Sequence, residues 1–162
     1  MDIAPPSDRE IISSRVLPAA RKAVFAAVSD PNSLARWWGP AGFQNRFDVF
    51  EFRPGGAWRF AMIAPDGAEY PTVSRFDEIV PFDRIVLSHL EPGHHFRLTM
   101  TFDEAPAGTR LTWRMEFDSP AEVDRVGKLV TEGNEQNFDR LAVEIARPKE
   151  EPSSIVTRPT ER

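Results

Sequence analysis

The chain has 162 residues, of which 41% are hydrophobic and 28% are charged, and its formal net charge is −5. This size and composition are ordinary for one globular domain of roughly 100–200 residues. The acidic balance disfavours nucleic-acid binding, which requires a basic patch. The chain has no cysteine, which excludes a disulfide framework, a thiolate nucleophile and a cysteine-based zinc site.

The sequence shows neither a secretory signal nor a membrane span. Its N-terminal residues lack the apolar core of a signal peptide, and no stretch approaches the roughly 18 apolar residues of a membrane helix. We therefore predict a cytoplasmic protein. Residues 1–9 are expected to form a flexible leader and residues 10–147 the folded domain. Residues 148–162 are polar, charged and punctuated by proline, which predicts a disordered tail.

The folded domain is predicted to begin with one strand and two short helices. Glu10–Leu17 is a β-rich run that predicts the strand. Ala19–Ser29 has apolar residues at helical spacing, which predicts the first helix. Asp30 followed by Pro31 is an N-cap with a first-turn proline and starts the second helix, which carries a pair of adjacent tryptophans.

From Phe43 to Phe117 the apolar residues recur with a period of two. This pattern, interrupted by short turns rich in proline, glycine and aspartate, predicts six antiparallel strands with one buried and one wet face. With the first strand, the sheet has about seven strands. Phe47 and Val49 are expected on one face of the first strand of this block. The main apolar face comprises Trp58, Phe60, Met62, Phe96, Leu98, Met100, Leu111, Trp113 and Met115.

A long C-terminal helix is predicted for Pro120–Ala146, with Ser119 as its N-cap. It is about 39 Å long at 1.5 Å per residue. Asn134 and Asn137 interrupt its inward apolar stripe. Their amides are expected either to bond backbone and water or to contact a ligand, because an unpaired buried amide costs about 1–3 kcal/mol. The stripe comprises Val123, Val126, Val130, Asn134, Asn137, Leu141 and Ile145.

These elements predict an α+β fold in which a curved antiparallel sheet wraps around the C-terminal helix. A helix is roughly 10 Å across, whereas seven strands at about 4.8 Å spacing form a sheet near 30 Å wide. A single helix cannot cover a flat sheet of that width. We therefore expect the sheet to curl, the two short helices to plug one side, and a cavity for a small molecule to remain.

The segment Val24–Phe43 resembles bacterial proteins related to the C-terminal domain of the activator of the ninety-kilodalton heat-shock protein ATPase. These AHSA-type proteins belong to the START-like, birch-pollen-allergen-like superfamily. The resemblance implies a helix-grip fold. Relatives bind hydrophobic ligands, some act as polyketide cyclases, and the eukaryotic namesake is a co-chaperone. Asn134 departs from the family, which has tryptophan after the helix glycine. Further matches are Gly55–Trp58, Asp66-Gly67 ahead of Tyr70, Glu78–Pro81, Arg84–Val86, Gly133, Gln136 and Asp139–Leu141.

We predict that the domain binds a small hydrophobic molecule without catalysis, and we predict no catalytic residue, metal ligand or cofactor. One alternative is a polyketide cyclase-like or hydrolase-like enzyme with an acid or histidine in the cavity. Another, ranked last, is a chaperone-associated partner-binding module, and a homodimer remains open. The predicted ligand-binding residues are Trp37, Trp38, Phe60, Met62, Tyr70, Leu98, Met100, Trp113, Val130, Asn134, Asn137, Phe138 and Leu141.

The remaining polar candidates are expected to be structural or solvated. The histidines have no metal-binding spacing, and two of them are expected at a hairpin tip. Gly39, Pro40 and Gly42 follow the tryptophan pair, and this segment is a candidate lid. The histidines are His89, His94 and His95; the strand acids expected to be solvated are Asp48, Glu51, Asp77 and Glu78; the wet-face arginines are Arg59, Arg75 and Arg114.

Overall fold

The computed structural model describes residues 7–91, 93 and 95–147, so residues 1–6 of the predicted leader, His94 and the predicted tail lie outside the described residues. Seven strands form one sheet in the order β1-β7-β6-β5-β4-β3-β2, and each neighbouring pair is antiparallel. The predicted helix-grip fold is confirmed. The elements are β1 (Glu10–Leu17), α1 (Arg21–Ser29), α2 (Pro31–Trp37), β2 (Gln44–Phe50), β3 (Ala57–Ile63), β4 (Glu69–Val80), β5 (Arg84–Glu91), β6 (Phe96–Ala105), β7 (Gly108–Phe117) and α3 (Pro120–Ala146).

The two helix starts predicted from N-caps are confirmed. The Asp30 side chain accepts a hydrogen bond from the backbone N–H of Asn32 at 2.9 Å, and the Ser119 hydroxyl accepts one from Glu122. In both helices proline follows the cap, where its missing N–H costs nothing.

The predicted start of α1 is wrong by two residues, because the chain after β1 stays extended. Ala20 is the N-cap, with φ −68° and ψ 156°. The hydroxyl of Thr109 donates a hydrogen bond to the carbonyl of Ala19 at 2.7 Å, which ties this segment to β7.

A β-bulge overturns the predicted alternation of Phe47 and Val49. The register between β2 and β3 shifts between these two residues. The extra residue turns Phe50, rather than Val49, toward the core. The ring of Phe50 lies 5.7 Å from Phe47 and 5.9 Å from Trp58, measured between centroids.

The sequence predicted that both adjacent tryptophans lie in α2, but only the first of them does. Trp37 ends α2, is 1% exposed, and donates its indole N–H to the carbonyl of Ala27 at 2.9 Å. Trp38 is the C-cap in an extended conformation, with φ −67° and ψ 135°. Its ring therefore leaves the helix and lies between Trp58 of β3 and Trp113 of β7, at centroid distances of 5.2 and 5.4 Å.

Gly56 and Gly133 offer opposite tests of backbone packing. A Cβ on Gly56 would lie 2.0 Å from the carbonyl oxygen of Glu51, whereas a Cβ on Gly133 would meet nothing within 4 Å. We expect Gly56→Ala to destabilise the fold by at least about 2 kcal/mol and to lower the melting temperature by roughly 5 °C. Gly133→Ala is expected to stabilise α3 by up to about 1 kcal/mol. Thermal unfolding followed by circular dichroism tests both, and equal melting temperatures would contradict the geometry.

Candidate ligand-binding site

The sheet has one face that turns toward the helices, which we call the inner face. The side chains on this face become more exposed toward one end of the sheet. That end is where β3 ends, β4 begins, β5 ends and β6 begins, and we call it the open end. Tyr70 is 49% exposed there, and Met62 and Phe96 are partly exposed. Deeper on the same face, Trp58 is 1% and Phe76 is 2% exposed. The helices therefore close the rest of the inner face more completely than the open end.

The position of α3 accounts for this gradient. The helix packs on β1 and β7, at one edge of the sheet, and against α1 and α2. Val123 and Val130, in its N-terminal half, pack beside the core but stay partly exposed. One flank of α3 therefore presents apolar groups that the sheet does not fully cover.

The predicted ligand-binding residues divide into packed core and partly exposed positions. Trp37, Trp113 and Phe138 are each at most 2% exposed, and the Trp113 ring lies 5.0 Å from Phe138 and 6.2 Å from Trp37. Their own contacts therefore occupy much of the interior. Met100, Leu141, Leu98, Phe60, Asn134 and Asn137 are also buried, whereas Trp38, Met62 and Val130 are partly exposed and Tyr70 is exposed.

Both amides on the inward stripe of α3 have protein partners. The Asn137 side-chain oxygen accepts a hydrogen bond from the backbone N–H of Gly39 at 2.8 Å, and its nitrogen donates to the carbonyl of Gly133 at 3.1 Å. The Asn134 nitrogen donates to the hydroxyl of Ser13 at 3.2 Å. The protein itself thus offsets the burial of both groups.

The candidate lid is the loop of residues 38–43, which joins α2 to β2. Gly39 and Gly42 have φ of 102° and 86°, a region that favours glycine. Besides the bond to Asn137, the loop makes a second hydrogen bond to α3. In it, the backbone N–H of Ala41 donates to the side-chain oxygen of Gln136 at 3.0 Å. The loop is thus closed down on α3 rather than free.

Arg140 is the main anchor of this loop; it lies within the Asp139–Leu141 match to the family, but the sequence predicted no role for it. Its guanidinium donates to the carbonyls of Gly39 and Pro40, both at 2.9 Å, and of Phe43 at 2.8 Å. It also donates to the carbonyls of Arg36 and Trp38. Burial lowers the pKa of Arg140, but a guanidinium stays charged at neutral pH. Backbone carbonyls carry no side-chain signature, so sequence alone gave no signal for this contact.

The buried carboxylate of Glu144 joins α3 to α2. It accepts hydrogen bonds from Arg36 at 2.6 Å and from the hydroxyl of Ser33 at 2.7 Å. Burial raises the pKa of Glu144, but hydrogen bonds from Arg36 and Ser33 and the charges of Arg36 and Arg147 outweigh it, so the pKa lies below its ordinary value. Glu144 is therefore an ionised structural group.

Asp77 is the one predicted solvated acid that the structure partly buries. A β-bulge in β4 falls at this residue, and its side chain is 15% exposed. Burial raises the pKa of Asp77, but hydrogen bonds from Ser88 and Arg75 and the charges of Arg75 and Arg97 bring it below its ordinary value. This ionised pairing leaves Asp77 unsuited to donate a proton at neutral pH.

The two described histidines lie at the open end. His89 stacks on Phe96 at 4.8 Å between centroids, with the rings 8° from parallel. His95 is exposed in the turn before β6, as predicted. Both border a surface cleft of about 260 Å³ that also includes Arg9 and Glu116.

Trp58 and Trp113 carry indole N–H groups that are buried and have no hydrogen-bond acceptor among the described residues. Both rings contact Trp38.

Within residues 7–91, 93 and 95–147, no group of three or more histidine or acidic side chains is placed to hold a metal ion. No helix in this part of the chain has the length and apolar character needed to cross a membrane, and the cytoplasmic location stays a prediction.

The fold and this arrangement define a helix-grip domain of the ligand-binding or activator type. The family model described as Activator of Hsp90 ATPase homolog 1-like protein matches residues 18–146. The chain belongs to this family, as the sequence resemblance predicted. No protein with a curated description matches the chain.

Solved structures of bacterial proteins share the fold. A protein from Chromobacterium violaceum is 28% identical with a TM-score of 0.74, and the match covers 83% of this chain and 95% of that one. A protein from Rhodobacter sphaeroides is 25% identical with a TM-score of 0.80, with 90% and 97% covered. The AHSA1 protein from Silicibacter pomeroyi is 24% identical with a TM-score of 0.71, with 85% and 97% covered.

We expect Arg140→Met to release the loop of residues 38–43 from α3, because five backbone carbonyls lose their charged donor. Hydrogen–deuterium exchange at the amides of Gly39 and Ala41 should accelerate at least about tenfold, equivalent to one charged hydrogen bond. The exposed Arg59 provides a matched control, since Arg59→Met should leave these amides unchanged. Unaltered exchange in Arg140→Met would show that other contacts hold the loop.

Glu144 should make stability depend on pH. Because its folded-state pKa is lowered, its contribution is present above its ordinary pKa of 4.5 and is lost as the pH falls through the folded value. We expect Glu144→Gln to destabilise the protein at pH 7 and to differ less from wild type at pH 3. Urea unfolding at both pH values measures this, with the exposed Glu132→Gln as control. A pH-independent difference would contradict the assignment.

Proposed function

We propose that the domain binds a small, largely apolar molecule at the open end, between the free flank of α3 and the inner face of β3 to β6. The observation that carries this proposal is the partial exposure of the inward apolar side chains of Met62 and Phe96 at that end, together with that of Val130 on α3. Elsewhere the inner face is sealed, as at Ile85 and Leu111, which are both 0% exposed. Apolar surface left open on an otherwise closed core favours a ligand or partner contact.

The proposed site has apolar walls and a few polar groups. Phe60 and Leu98 line the sheet side behind the open end, and they are 3% and 2% exposed. Ser74 and Thr72 add two buried hydroxyls on the same face, because they pair with Trp58 and Phe60 in the register of β3 and β4. A mostly hydrocarbon surface with sparse hydroxyls suits a hydrophobic guest.

Apolar burial sets the affinity expected of such a site. Removing about 200 Å² of ligand surface from water contributes roughly 5 kcal/mol at 25 cal/mol per Å², before association costs. Because 5 kcal/mol corresponds to a dissociation constant of roughly 0.2 mM, a ligand the size of naphthalene is expected to bind with an affinity no tighter than the submillimolar range.

Access to this site would run past the loop of residues 38–43. Phe43 is in contact with Tyr70, at 6.3 Å between ring centroids. A Cβ placed on Gly39 would lie 3.7 Å from the sulfur of Met62. The loop therefore borders the open end, and its anchors on α3 would hold it closed over a guest.

A catalytic role is less well supported by the ionisable groups. Asp77 and Glu144 have lowered pKa values and are paired with arginines. General acid–base catalysis near pH 7 needs a carboxyl pKa raised toward neutrality. His89 is the inward-facing group on which an enzyme hypothesis would depend, through its register with Phe96.

Neighbouring residues on α3 provide a matched pair for testing the site. Val130 packs beside the core and is partly exposed, whereas Leu129 points outward and is 74% exposed. We expect Val130→Gln to weaken binding of the fluorescent probe N-phenyl-1-naphthylamine about tenfold, because the amide must be desolvated against an apolar ligand. Leu129→Gln should leave the affinity unchanged. Equal effects of the two substitutions, or no binding by wild type, would refute the proposed site.

A further inference from the structure

Two of the buried indoles in the core lack the hydrogen bond that the third one makes. The N–H of Trp37 reaches the carbonyl of Ala27 at 2.9 Å. The N–H groups of Trp58 and Trp113 have no acceptor among the described residues, although the side chains are only 1% and 2% exposed. A buried donor without an acceptor costs about 1–3 kcal/mol. Two unpaired donors are therefore costly unless a bound molecule accepts hydrogen bonds from them.

The two donors share one neighbouring residue. The rings of Trp58 and Trp113 both contact the Trp38 ring, at 5.2 and 5.4 Å between centroids. Trp38 is partly exposed and begins the loop of residues 38–43. The donors therefore belong to the part of the interior that lies beside the candidate lid.

The surroundings of the donors are apolar and neutral. The ring of Trp58 stacks on Phe60 at 4.2 Å, and Trp113 packs on Phe138 at 5.0 Å. The nearby cation Arg140 is occupied by backbone carbonyls, and Arg15 is paired with acidic residues of α3. An anionic head group would lose its hydration without gaining a counter-charge, which is strongly unfavourable.

We propose that the guest is an apolar molecule with a neutral hydrogen-bond acceptor, such as a ketone, ester, lactone or quinone oxygen, which accepts from the indole N–H groups of Trp58 and Trp113. This inference rests on the proposed function and specifies the class of ligand. A pure hydrocarbon of the same shape would leave both donors unpaired. The acceptor therefore gives the site a means of discriminating among apolar molecules of similar size.

A matched pair of probes tests this class. 2-Acetylnaphthalene and 2-ethylnaphthalene differ by replacement of a carbonyl with a methylene group. Calorimetric titration of the wild-type chain should show the ketone binding at least about tenfold tighter, as expected for pairing a buried donor. In ¹H–¹⁵N spectra, the indole resonances of Trp58 and Trp113, assigned from phenylalanine variants, should move downfield with the ketone and not with the hydrocarbon.

Two variants connect the preference to the donors. Trp58→Phe and Trp113→Phe each remove one N–H, and the ratio of ketone to hydrocarbon affinity should fall in each. Because each ratio is measured within one protein, a general loss of affinity does not alter it. If either variant fails to fold, the wild-type titrations and spectra still decide.

The outcomes separate this inference from the proposed function. Equal binding of both probes, with unmoved indole resonances, would overturn the acceptor inference and leave the hydrophobic site intact; the donors would then be satisfied by buried water or by aromatic faces. Failure of both probes to bind would overturn the proposed function and this inference with it.

Discussion

The fold depends on the contact that one indole makes with two distant strands. In the strand order, Trp58 on β3 and Trp113 on β7 are four positions apart, or roughly 19 Å in a flat sheet at about 4.8 Å per strand. Both nevertheless reach the ring of Trp38, at 5.2 and 5.4 Å between centroids. The sheet must therefore bend strongly around this side chain. Its register shifts, between Phe47 and Val49, between Val73 and Ser74 and at Asp77, increase the twist and help the strands to bend.

The same indole fixes the relation between the sheet and the two short helices. Trp38 leaves α2 at its C-cap, and Arg140 and Asn45 donate to its carbonyl at 3.1 and 2.8 Å. These bonds join α2, α3 and β2 at one point. The interior beneath them is largely filled by aromatic rings. The space proposed for a guest is therefore limited to the open end and to the part of the interior beside Trp38, and it is smaller than the cavity expected from helix and sheet widths alone.

Periodicity and end signals were sufficient to predict the elements. The caps Asp30 and Ser119 act locally, and a helix start that depends on the nearest few residues can be predicted from them. The alternation of large apolar residues likewise predicted seven strands. These features involve residues close in the chain, so their physics is contained in short windows of sequence.

The parts that sequence did not predict depend on distant partners. Val49 was placed on the wrong face because a bulge inserts one residue and reverses the alternation beyond it. Trp38 was assigned to a helix because nothing local shows that its ring is needed between β3 and β7. The anchoring of the loop of residues 38–43 by Arg140 uses backbone carbonyls, which every residue possesses. The sequence pattern predicted many interior residues, but it could not distinguish the residues of the packed core from those at the open end.

The α3 side chains that anchor the loop of residues 38–43 lie far from it in the sequence, so the loop is synthesised well before its anchors. Gln136 and Asn137 accept hydrogen bonds from this segment and Arg140 donates to it, and each of these bonds spans between 95 and 102 residues. On the ribosome, α2 and the first sheet strands emerge while α3 is still untranslated. At synthesis rates of about 5–20 residues per second, the segment waits for several seconds without these partners. The nascent domain thus exposes its tryptophan-lined interior until its final helix arrives, an interval in which chaperone protection would be most useful.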